Sequence, residues 1–571
     1  MSDPHTGSVG APRRVMLVCP PFQHHLFASL ATARLATHLR DGGAECVEGY
    51  LHFALVRLIG EARYQQLASQ GLDAELLFAE GLHGALPSGA EGKLNELFGD
   101  QANRQALLAE FRSICLERVE ATKPSLVGIT TSYHQLMAAL WLSQSIKQAH
   151  PEIRVVLGGS SCSEPMGKVI AEHYAHVDWV VSGYGEAPLL ALARGDTPSE
   201  RLLTSHDRVA IGSLPAPDFL PFLREAREFD DPMRIRLEYE GSRGCWWGAR
   251  TQCCFCGLSG QQIHYEEKPS AQVVRELRDL WDNYHRYVFA TDLVLSPHHL
   301  EEAIPSLATS GDGPPLFYEV RADLTKRQIA SLALANVREV QPGIESLSTR
   351  LLRRLRKGTN QLQNIAALKH CGEMRVYPHW NLLCAIPGEL ESDYDEQIRL
   401  MSKISHLTPP ARVNEIRIDR YSPYFESFAR YGWSAIEPAH MYRLLHPHLD
   451  DPQLYDVAYH FQGLGGPSAD AYRCRLEVAI ADWRTRHKAG DGLFWVRPQK
   501  LERHTCRGVE LIELDDAAAA VIEMTQDVIT VEQLLAETGA TSQQIEELAA
   551  RDLLLVENGR AVNLALDRKS R

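Results

Sequence analysis

Short apolar runs alternate with amphipathic helical stretches along most of this chain, and this alternation constrains the fold more than any other feature. Buried strands separated by helices are typical of a parallel sheet that carries helices on both faces. In the first third of the chain, strands are predicted at Val15–Cys19, Leu126–Thr130, Arg154–Leu157 and Trp179–Ser182. The pattern therefore predicts an α/β, Rossmann-like fold for this part.

Helices separate these predicted strands. Leu26–Leu39 is predicted to be a helix that stops at Gly42-Gly43, and His134–Gln148 is predicted to be another. Between the first two strands, residues 53–118 are mostly helical in pattern, which indicates an insertion or a lid. The chain becomes proline-rich around Leu214–Asp218, and this composition is typical of a linker.

A second series of strands and helices begins after this linker. Its strands are predicted at Ile235–Tyr239, Tyr287–Ala290, Leu316–Val320, Arg338–Gln341, Val376–Leu383 and Val413–Ile418. A closed barrel of this kind has eight strand–helix units, so six units predict a partial (β/α)6 barrel that is open on one side.

The C-terminal region has a different pattern. Strands are predicted at Phe494–Arg497 and Val509–Leu514. Thr530 and Thr541 each precede a Gln by three residues, which is the capping-box pattern at the start of a helix. Asn558-Gly559 lies between two apolar runs and predicts a two-residue hairpin. Helix, helix and hairpin in this order predict a small α+β, winged-helix-like domain.

These patterns divide the chain into six predicted segments. They are a disordered tail (1–13), a Rossmann-like domain with a helical insertion (14–205), a linker (206–230), a partial barrel (231–450), a helical connection (451–492) and a winged-helix-like C-terminal domain (493–571).

The charge and composition exclude several classes of partner. The net charge is −14, and residues 500–571 hold 8 basic against 14 acidic side chains, a net charge of −6. Because phosphate contacts need Lys and Arg, neither the whole chain nor its last region is expected to bind nucleic acid. No apolar stretch is long enough to span a membrane and no secretory signal is evident, so a cytoplasmic location is expected.

Four of the 12 cysteines lie between Cys245 and Cys256, whereas the others are scattered singly. The motif Cys245-x7-Cys253-x2-Cys256 follows directly after the first predicted barrel strand. Thiolates on a loop at the carboxyl end of a barrel strand can converge on one iron–sulfur cluster. Three thiolates on a four-iron cluster leave one iron open to a substrate or cofactor. Cys254 is interpreted as a buried thiol without a metal.

The alternative interpretation of the cysteine motif is a zinc site. Structural zinc usually takes four ligands arranged as two close pairs. The sequence has no second Cys-x2-Cys pair, and His264 is the nearest histidine downstream. A zinc-stabilised binding protein therefore stays open as an alternative, but the cluster is favoured.

Downstream of the cysteines, the chain resembles the radical S-adenosylmethionine (SAM) superfamily. The resemblance is carried by the motifs Gln341-Pro-Gly-Ile-Glu-Ser-Leu-Ser348, Tyr318-Glu-Val-Arg321 and Asn381-Leu-Leu-Cys-Ala-Ile-Pro-Gly-Glu389. It implies a [4Fe-4S] cluster on Cys245, Cys253 and Cys256. It also implies SAM contacts from Phe255, Gly257, Asp292, Glu319, Arg321, Glu345, Ser346, Asn381, Pro387 and Gly388. At the second barrel strand the chain departs from the family, since Ala290-Thr291-Asp292 stands where Gly-Gly-Glu is common.

The first domain resembles the cobalamin-binding domains that precede some radical SAM barrels. The resemblance implies cobalamin contacts from residues that follow the predicted strands, namely Pro20, Pro21, Thr130, Thr131, Ser132, Gly158, Gly159, Ser160, Gly183, Tyr184, Gly185 and Glu186. The Asp-x-His-x-x-Gly motif, which supplies a histidine to cobalt in many cobalamin proteins, is absent from the sequence. His24, His25 and His134 are the nearest other histidines, and they are interpreted as surface or core residues.

Taken together, the motifs resemble radical SAM C-methyltransferases that mature ribosomally made peptide natural products. The resemblance implies methyl transfer to an unactivated carbon of a precursor peptide, with Tyr421 and Tyr424 lining the peptide site and Trp246 and Trp247 possible additions. Ordinary barrel packing is the alternative for all four aromatic residues. A cobalamin-dependent rearrangement, cyclisation or methylation of a small molecule would share every motif. A flavodoxin or ferredoxin as electron donor and a monomeric state are expected, and no side chain is assigned to proton transfer.

Overall fold

The computed structural model describes residues 13–205, 209–229, 231–258, 260, 264–466, 470–496 and 499–567. The predicted disordered tail falls outside these ranges except for Arg13, whose backbone N–H donates to the carbonyl of Ala193. The chain divides into two compact units. The first unit runs to Glu238 and includes Ile436–Gln462, and the second unit contains Tyr239–Ala435 and the chain from Gly463 onward.

The first unit is built on a parallel sheet of six strands. They are β1 (Val15–Cys19), β3 (Cys46–Tyr50), β4 (Leu126–Thr131), β5 (Arg154–Gly159), β6 (Trp179–Gly183) and β7 (Leu202–Ser205), in the order β3-β1-β4-β5-β6-β7. Outside this sheet, the short strand β2 (Phe27–Ala28) pairs in parallel with β8 (Arg236–Tyr239). The predicted strands of this region are confirmed, with β1 at its predicted bounds. The sequence analysis missed β3 and β7, because edge strands are partly exposed and do not form continuous apolar runs.

The helices of the first unit include the predicted insertion. They are α1 (Leu30–Asp41), α2 (His52–Ile59), α3 (Glu61–Ala68), α4 (Leu76–His83), α5 (Ser88–Phe98), α6 (Gln101–Thr122), α7 (Leu136–Ala149), α8 (Met166–His173), α9 (Glu186–Ala193) and α10 (Leu220–Glu225). Residues 53–118 are thus mostly helical, as predicted. The helix predicted at Leu26 begins at Leu30, where Ser29 accepts a hydrogen bond from the N–H of Thr32.

The predicted linker, residues 206–230, is folded onto the first unit in its described part. Phe219 and Phe222 are fully buried, and the ring of Phe222 packs against Tyr50 at 5.2 Å and Phe53 at 5.4 Å. The proline-rich composition predicted a linker. The two phenylalanines bury apolar surface and thereby hold the segment against the first unit.

The second unit contains the barrel. Its strands are β9 (Ser242–Arg243), β10 (Glu266–Glu267), β11 (Tyr287–Ala290), β12 (Leu316–Glu319), β13 (Val337–Gln341), β14 (Tyr377–Pro378), β15 (Leu382–Cys384), β16 (Val413–Glu415) and β17 (Ile418–Asp419). Its helices are α11 (Ser270–Tyr284), α12 (Ile304–Ser310), α13 (Lys326–Leu334), α14 (Thr349–Arg354), α15 (Gln361–Met374), α16 (Glu391–Lys403) and α17 (Pro423–Glu426). Strands β11 to β14 are parallel neighbours, and β15 pairs in parallel with β16.

The fifth predicted barrel strand, Val376–Leu383, is two strands in the structure. Its first part, β14, pairs with β13 through Val340 and Pro378. Its second part, β15, pairs with β16, and Leu382 forms a single bridge with Glu345. The N–H of His379 still donates to the carbonyl of Val340 at 2.8 Å, so the pairing with β13 ends only after Pro378.

A segment after the barrel belongs to the first unit. It begins with strand β18 (Ala435–Pro438), contains α18 (Met441–Leu445) and α19 (Asp451–Val457), and ends in β19 (His460–Leu464). The hydroxyl of Tyr174 hydrogen-bonds Nδ1 of His446 at 2.5 Å, and the rings of Tyr133 and Tyr459 stack at 3.6 Å. These contacts join residues about 270 to 330 positions apart, so the predicted boundary at residue 450 does not coincide with a boundary between units.

The C-terminal part of the second unit combines two small sheets with helices. Its elements are α20 (Asp470–Lys488), β20 (Gly492–Val496), β21 (Lys500–Thr505), β22 (Gly508–Glu513), α21 (Asp516–Met524), β23 (Ile529–Thr530), α22 (Val531–Thr538), α23 (Ser542–Ala550), β24 (Leu554–Glu557), β25 (Arg560–Asn563) and β26 (Leu566–Asp567). Thr541 and Gln544 form the predicted capping box, and Asn558-Gly559 joins β24 to β25 with positive φ at both residues. The predicted hairpin is confirmed.

The C-terminal region shares one hydrophobic core with the barrel. Trp380 and Leu382 of the barrel belong to the same buried cluster as Trp483 and Leu566. The C-terminal domain and the part of the predicted helical connection that follows Gln462 are therefore packed with the barrel, whereas residues 451–462 belong to the first unit. Within the described residues, no helix is long and apolar enough to cross a membrane.

Candidate functional site

The three motif cysteines lie on a loop that leaves β9 and returns at β10. Cys245, Cys253 and Cys256 are partly exposed free thiols. Cys254 is 0% exposed, its Sγ lies 3.3 Å from the carbonyl of Arg354, and it accepts a hydrogen bond from the hydroxyl of Tyr431 at 3.5 Å. Within the described residues, Cys254 is therefore engaged by the protein, whereas the other three thiols are available to a ligand.

The three available thiols lie near one another and near a cation. Burial raises the pKa of Cys256 to about 12, and the neighbouring Cys253 and Cys245 add to this effect. Burial also raises the pKa of Cys253, whereas the ammonium group of Lys357 lowers it. A bound metal lowers thiol pKa values far more than such cations do, so metal binding would favour the thiolate forms of Cys253 and Cys256.

The spacing of the thiols differs from that of a single-ion site. Within the described part of the chain, no three His, Cys, Asp or Glu side chains are grouped so that they could hold one metal ion. A four-iron cluster has another requirement, since each thiolate binds its own iron atom. The N–H of Gly248 donates to Sγ of Cys245 at 3.3 Å, and Sγ of Cys253 lies 4.0 Å from the carbonyl of Arg356. Three free thiols with only such weak backbone contacts fit that donor set.

Two predicted acids lie beside the thiols at the carboxyl ends of barrel strands. Glu319 ends β12, and burial together with the nearby Glu345 raises its pKa to about 7. Oε1 of Glu345 accepts a hydrogen bond from Nζ of Lys357 at 3.3 Å. Burial alone would lower the pKa of Lys357, but Glu345 and Cys253 raise it. The fold therefore brings two acids, one cation and one thiol together.

Lys357 is the residue of this group that the sequence analysis left without a role. Its ammonium also lies 5.8 Å from the centre of the Phe255 ring. The sequence signal for Lys357 was its position directly before Gly358, in the segment Leu351–Gly358 that follows the Gln341–Ser348 motif. Its role follows from its contacts with Glu345 and Phe255, and the sequence does not show that these residues lie close to Lys357.

Asn381 has a buried polar atom that the protein does not satisfy. Its Oδ1 is inaccessible to solvent and has no hydrogen-bond partner among the described residues. A buried acceptor without a donor is costly, so such atoms commonly mark a place that a ligand or an ordered water occupies. Asn381 directly precedes β15, and this position fits its predicted role as a SAM contact.

Other predicted SAM contacts are engaged within the protein. The guanidinium of Arg321 pairs with Asp323 at 2.9 Å, stacks on Trp247 at 4.0 Å, and donates to the carbonyl of Lys357 at 3.1 Å. The hydroxyl of Ser346 is buried and donates to Gln397 at 3.0 Å. Both side chains therefore stabilise the loops around the site, whether or not they also contact a ligand.

The turn that follows β15 is also held by hydrogen bonds within the protein. The carbonyls of Pro387 and Gly388 accept hydrogen bonds from Arg354 at 3.2 Å and Arg350 at 3.1 Å. Gly388 has φ +73°, and a Cβ at this position would lie 2.3 Å from the Arg354 guanidinium. Gly257 is buried on the cysteine loop, and its carbonyl accepts from the N–H of Gly260 at 3.2 Å.

In the first unit, most of the predicted cobalamin contacts come together at one edge of the sheet. Strands β4, β5 and β6 are adjacent and parallel, so their carboxyl ends meet at the same edge. The predicted residues at this edge are Thr130, Thr131, Ser132, Gly158, Gly159, Ser160, Gly183, Tyr184, Gly185 and Glu186. Ser132, Gly159 and Gly183 are exposed. Such an edge is where open α/β sheets bind ligands.

Close backbone packing explains two of these glycines. Gly159 has φ +112°, and a Cβ there would lie 2.1 Å from the carbonyl oxygen of Thr131. A Cβ on Gly183, which has φ +93°, would lie 2.6 Å from the carbonyl oxygen of Ser205. Gly158 differs, because a Cβ there would meet only Val181 at 3.9 Å. The edge therefore needs glycine at two positions even without a ligand.

Pro20 and Pro21 follow β1 and are buried. The carbonyl of Pro20 accepts a hydrogen bond from Nε2 of Gln135 at 2.9 Å. Of the three histidines considered near this edge, His25 is buried and pairs with Glu61 at 3.1 Å, and His24 stacks on it. Burial lowers the pKa of His24 to about 4 and also lowers that of His25. Both are therefore neutral near pH 7.

The predicted peptide-lining aromatics contact the cysteine loop. Tyr424 is 1% exposed, its N–H donates to the carbonyl of Cys254 at 2.9 Å, and its ring packs against Trp433 at 5.2 Å. The carbonyl of Tyr421 accepts from Gln252 at 3.2 Å. Nε1 of Trp246 donates to the carbonyl of Leu295 at 3.1 Å. These contacts favour the packing interpretation.

Residues 239–401 match the family model described as the Radical SAM superfamily. This segment is a radical SAM domain. It contains the cysteine loop, both acids at the strand ends, Lys357 and Asn381, so the site described above lies within the matched residues. No curated protein matches the sequence.

Two solved structures share the fold. OxsB, titled a cobalamin-dependent S-adenosylmethionine radical enzyme with aqua-cobalamin bound, has 13% sequence identity and a TM-score of 0.56, and the match covers 95% of this chain and 71% of OxsB. TsrM from Kitasatospora setae, titled a radical S-adenosylmethionine methyltransferase with cobalamin and a [4Fe-4S] cluster bound, has 17% identity and a TM-score of 0.52, covering 83% of this chain and 89% of TsrM. At these identities the likeness shows the fold.

Proposed function

We propose that this protein is a cobalamin-dependent radical SAM methyltransferase that transfers a methyl group to an unactivated carbon of a ribosomally made precursor peptide. The observation that carries the proposal is the set of three available thiols beside Glu319, Glu345 and Lys357 in a radical SAM domain. The parallel sheet that precedes this domain supports the proposal. The fold shared with OxsB and TsrM supports it as well, because both are described as radical S-adenosylmethionine enzymes with cobalamin bound.

Cys245, Cys253 and Cys256 would hold the [4Fe-4S] cluster. When bound, the cluster with SAM supplies a radical that can remove hydrogen from an unactivated carbon, and methylcobalamin supplies the methyl group. Cys254 remains a structural thiol because its contacts are made within the protein. Lys357 places a positive charge beside Cys253 and thereby favours thiolate ligation.

Asn381 and the acids at the strand ends would hold SAM. The unpaired Oδ1 of Asn381 is an acceptor for an N–H or hydroxyl donor of the ligand. Glu345 has φ +60°, which turns its backbone toward β15 so that its carbonyl accepts from the N–H of Leu383 at 2.8 Å. Its carboxylate is meanwhile oriented by Lys357. These residues would position a ligand at the carboxyl ends of β12 and β13 and beside the start of β15.

Cobalamin would bind at the carboxyl edge of β4, β5 and β6. The exposed backbone at Ser132, Gly159 and Gly183 lets a large ligand approach the sheet closely. The Asp-x-His-x-x-Gly motif is absent, so this chain would not supply a histidine of that motif to the cofactor.

The C-terminal region would recognise the precursor peptide. Helices α21, α22 and α23 and the three-stranded sheet β23-β25-β24 follow one another in winged-helix order. The acidic charge of this region argues against DNA as its ligand. The proposal further includes a flavodoxin or ferredoxin as electron donor, a cytoplasmic location and a monomeric state.

The test is metal and product analysis of protein purified without oxygen in the presence of cobalamin. We expect iron, sulfide and cobalt in the wild type, and loss of iron but not cobalt in a Cys245/Cys253/Cys256→Ala triple variant. With SAM, a reductant and a candidate precursor peptide, we expect S-adenosylhomocysteine, 5′-deoxyadenosine and a peptide that has gained one methyl group.

Each departure from these results overturns a different part of the proposal. Iron without cobalt would remove cobalamin from it. A converted substrate with 5′-deoxyadenosine as the only SAM product would replace methyl transfer by rearrangement or cyclisation. Zinc without iron would refute the radical SAM activity altogether.

A further inference from the structure

The loop that carries the cysteines is closed at its base by a short antiparallel pair. Strand β9 leaves the base and β10 returns to it, with Ser242 opposite Glu267 and Arg243 opposite Glu266. The N–H of Lys268 donates to the carbonyl of Gly241 at 2.9 Å. We call this pair, residues 241–243 and 266–268, the clasp.

Asp292 anchors the outgoing strand of the clasp. It is 1% exposed, its Oδ1 accepts the N–H of Gly241 at 2.7 Å and its Oδ2 accepts the hydroxyl of Ser242 at 2.8 Å. A Cβ on Gly241 would lie 3.1 Å from Oδ2 of Asp292, so a side chain at this position would press against the carboxylate. A buried carboxylate that accepts two such donors makes strong hydrogen bonds.

The returning strand is anchored on the segment that follows Asp292. The carboxylate of Glu267 accepts hydrogen bonds from Ser296 and, at 2.6 Å, from the hydroxyl of Tyr265, and it pairs with His298 at 2.5 Å. Nε2 of the buried His299 hydrogen-bonds the carbonyl of Lys268 at 2.8 Å. Both strands of the clasp are therefore tied to residues 292–299.

We propose that Asp292 is a positioning residue that holds the clasp closed, so that the cysteine loop is arranged before the cluster is assembled, rather than a contact of SAM. The sequence resemblance implied a SAM contact because Asp292 ends the second barrel strand. In the structure, both of its carboxylate oxygens are used on the clasp. The inference rests on the proposed function, since the loop is taken to hold the cluster.

The physical reason is the entropy of a long loop. The clasp brings together residues on either side of the 22-residue stretch from Gly244 to Tyr265. Closing such a stretch in advance lowers the conformational entropy that three ligands would otherwise have to lose. Metal sites keep their affinity when neighbouring hydrogen bonds hold the ligands in place. Opening the base would leave the cysteines present but poorly arranged.

The first test is hydrogen–deuterium exchange of the full chain before cluster assembly. Asp292→Ala is expected to speed exchange of peptides covering residues 241–258 by about tenfold, because hydrogen bonds to a buried carboxylate are lost. Ser242→Ala, which removes one of these bonds, and Glu267→Gln, which weakens the returning anchor, should show a smaller effect in the same peptides. Glu301→Gln changes an exposed acid on the following helical turn and serves as the matched control.

The second test compares cluster uptake and the spectrum of the reduced cluster without SAM. For Asp292→Ala we expect lower iron uptake and an altered spectrum, with partial recovery in Asp292→Asn because it keeps one acceptor. Unchanged exchange and an unchanged SAM-free spectrum, with only weaker SAM binding, would overturn the proposal and make Asp292 a SAM contact. A wild type without iron would refute the proposed function, whereas the exchange data would still decide whether Asp292 holds the clasp.

Discussion

Cys253 and Cys254 are neighbours in the chain but have opposite environments. Cys253 is partly exposed and lies near Lys357, whereas Cys254 is buried between Arg354 and Tyr431. The loop turns the side chain of Cys254 toward Arg354 and Tyr431, whereas that of Cys253 lies near Lys357. The environment of each thiol, not its spacing, separates the predicted ligand from the structural thiol.

We therefore expect Cys253→Ala and Cys254→Ala to differ in iron content. Cys253→Ala should lose most of the reconstituted iron, because one of three thiolates is removed. Cys254→Ala should keep the iron and lose about 1 kcal/mol of stability, a usual cost for a single buried substitution. Iron analysis and thermal unfolding measure the two effects. Iron lost from Cys254→Ala but kept by Cys253→Ala would exchange their assigned roles.

The motifs did not predict the protein partners of the predicted site residues. Oε1 of Glu345 accepts from Lys357, and Arg321 and Ser346 use their polar groups on Asp323 and Gln397. A motif identifies a segment, but a side chain binds whichever partner the fold brings near it. Gln397 is 51 residues from Ser346, and no local pattern indicates this contact.

At the scale of elements, helix α15 joins the barrel to the C-terminal region through buried charges. Lys369 and Glu373 are both 0% exposed and pair at 3.5 Å. Glu373 also pairs with Lys326 at 3.0 Å and accepts the N–H of Asp567 at 2.9 Å. Burial lowers the pKa of Lys369 to about 8, and Glu373 opposes this shift. Glu373 is therefore the counter-charge that offsets part of the cost of burying the Lys369 ammonium group.

We expect Glu373→Gln to destabilise the protein by about 3 kcal/mol, because it leaves buried ammonium groups without a counter-charge. Asp552→Asn is the matched control. It breaks the pair between Lys403 and Asp552, which also joins the barrel to the C-terminal region but is 38% and 43% exposed, and it should cost less than about 1 kcal/mol. Denaturant unfolding measures both. Equal losses in the two variants would refute the assignment of this network.

At the scale of the whole molecule, the first unit contains a group of buried histidines. Burial, with His83 and His448 nearby, lowers the pKa of His446 to about 3. Burial, with His448 nearby, lowers that of His83 to about 4. The hydroxyl of Tyr174 contacts Nδ1 of His446, and a protonated imidazole could not accept that hydrogen bond.

This group predicts acid sensitivity of the first unit. Below the ordinary histidine pKa of about 6.5, the unfolded chain binds protons that the folded histidines do not. The stabilisation is thus complete above about pH 6.5 and falls by about 1.4 kcal/mol per pH unit for each such histidine as the pH is lowered toward the folded pKa. His446→Asn should reduce this slope, whereas His440→Asn, an exposed neighbour, should not. Denaturant unfolding at pH 7.5, 6 and 5 tests this, and a slope that His446→Asn leaves unchanged would contradict it.

The sequence by itself determined the elements that local physics controls. Apolar runs predicted β1 and β11 at their observed bounds, and Asn558-Gly559 predicted the hairpin. Both predictions succeed because the hydrophobic pattern of a strand and the geometry of a turn depend on a few adjacent residues. The cysteine spacing and the strand-end motifs likewise located the radical SAM domain, since its ligands come from short loops after strands. The position of this domain therefore followed from local patterns.

Only the tertiary structure decided which distant groups meet. It placed Ile436–Gln462 with the first unit, divided the fifth barrel strand at Pro378, and turned Asp292 toward Gly241 and Ser242. Each outcome depends on contacts between residues far apart in the chain, whose free energy is set by burial and shape after the chain has folded. Local patterns cannot contain that information, because the partner is not in the same segment.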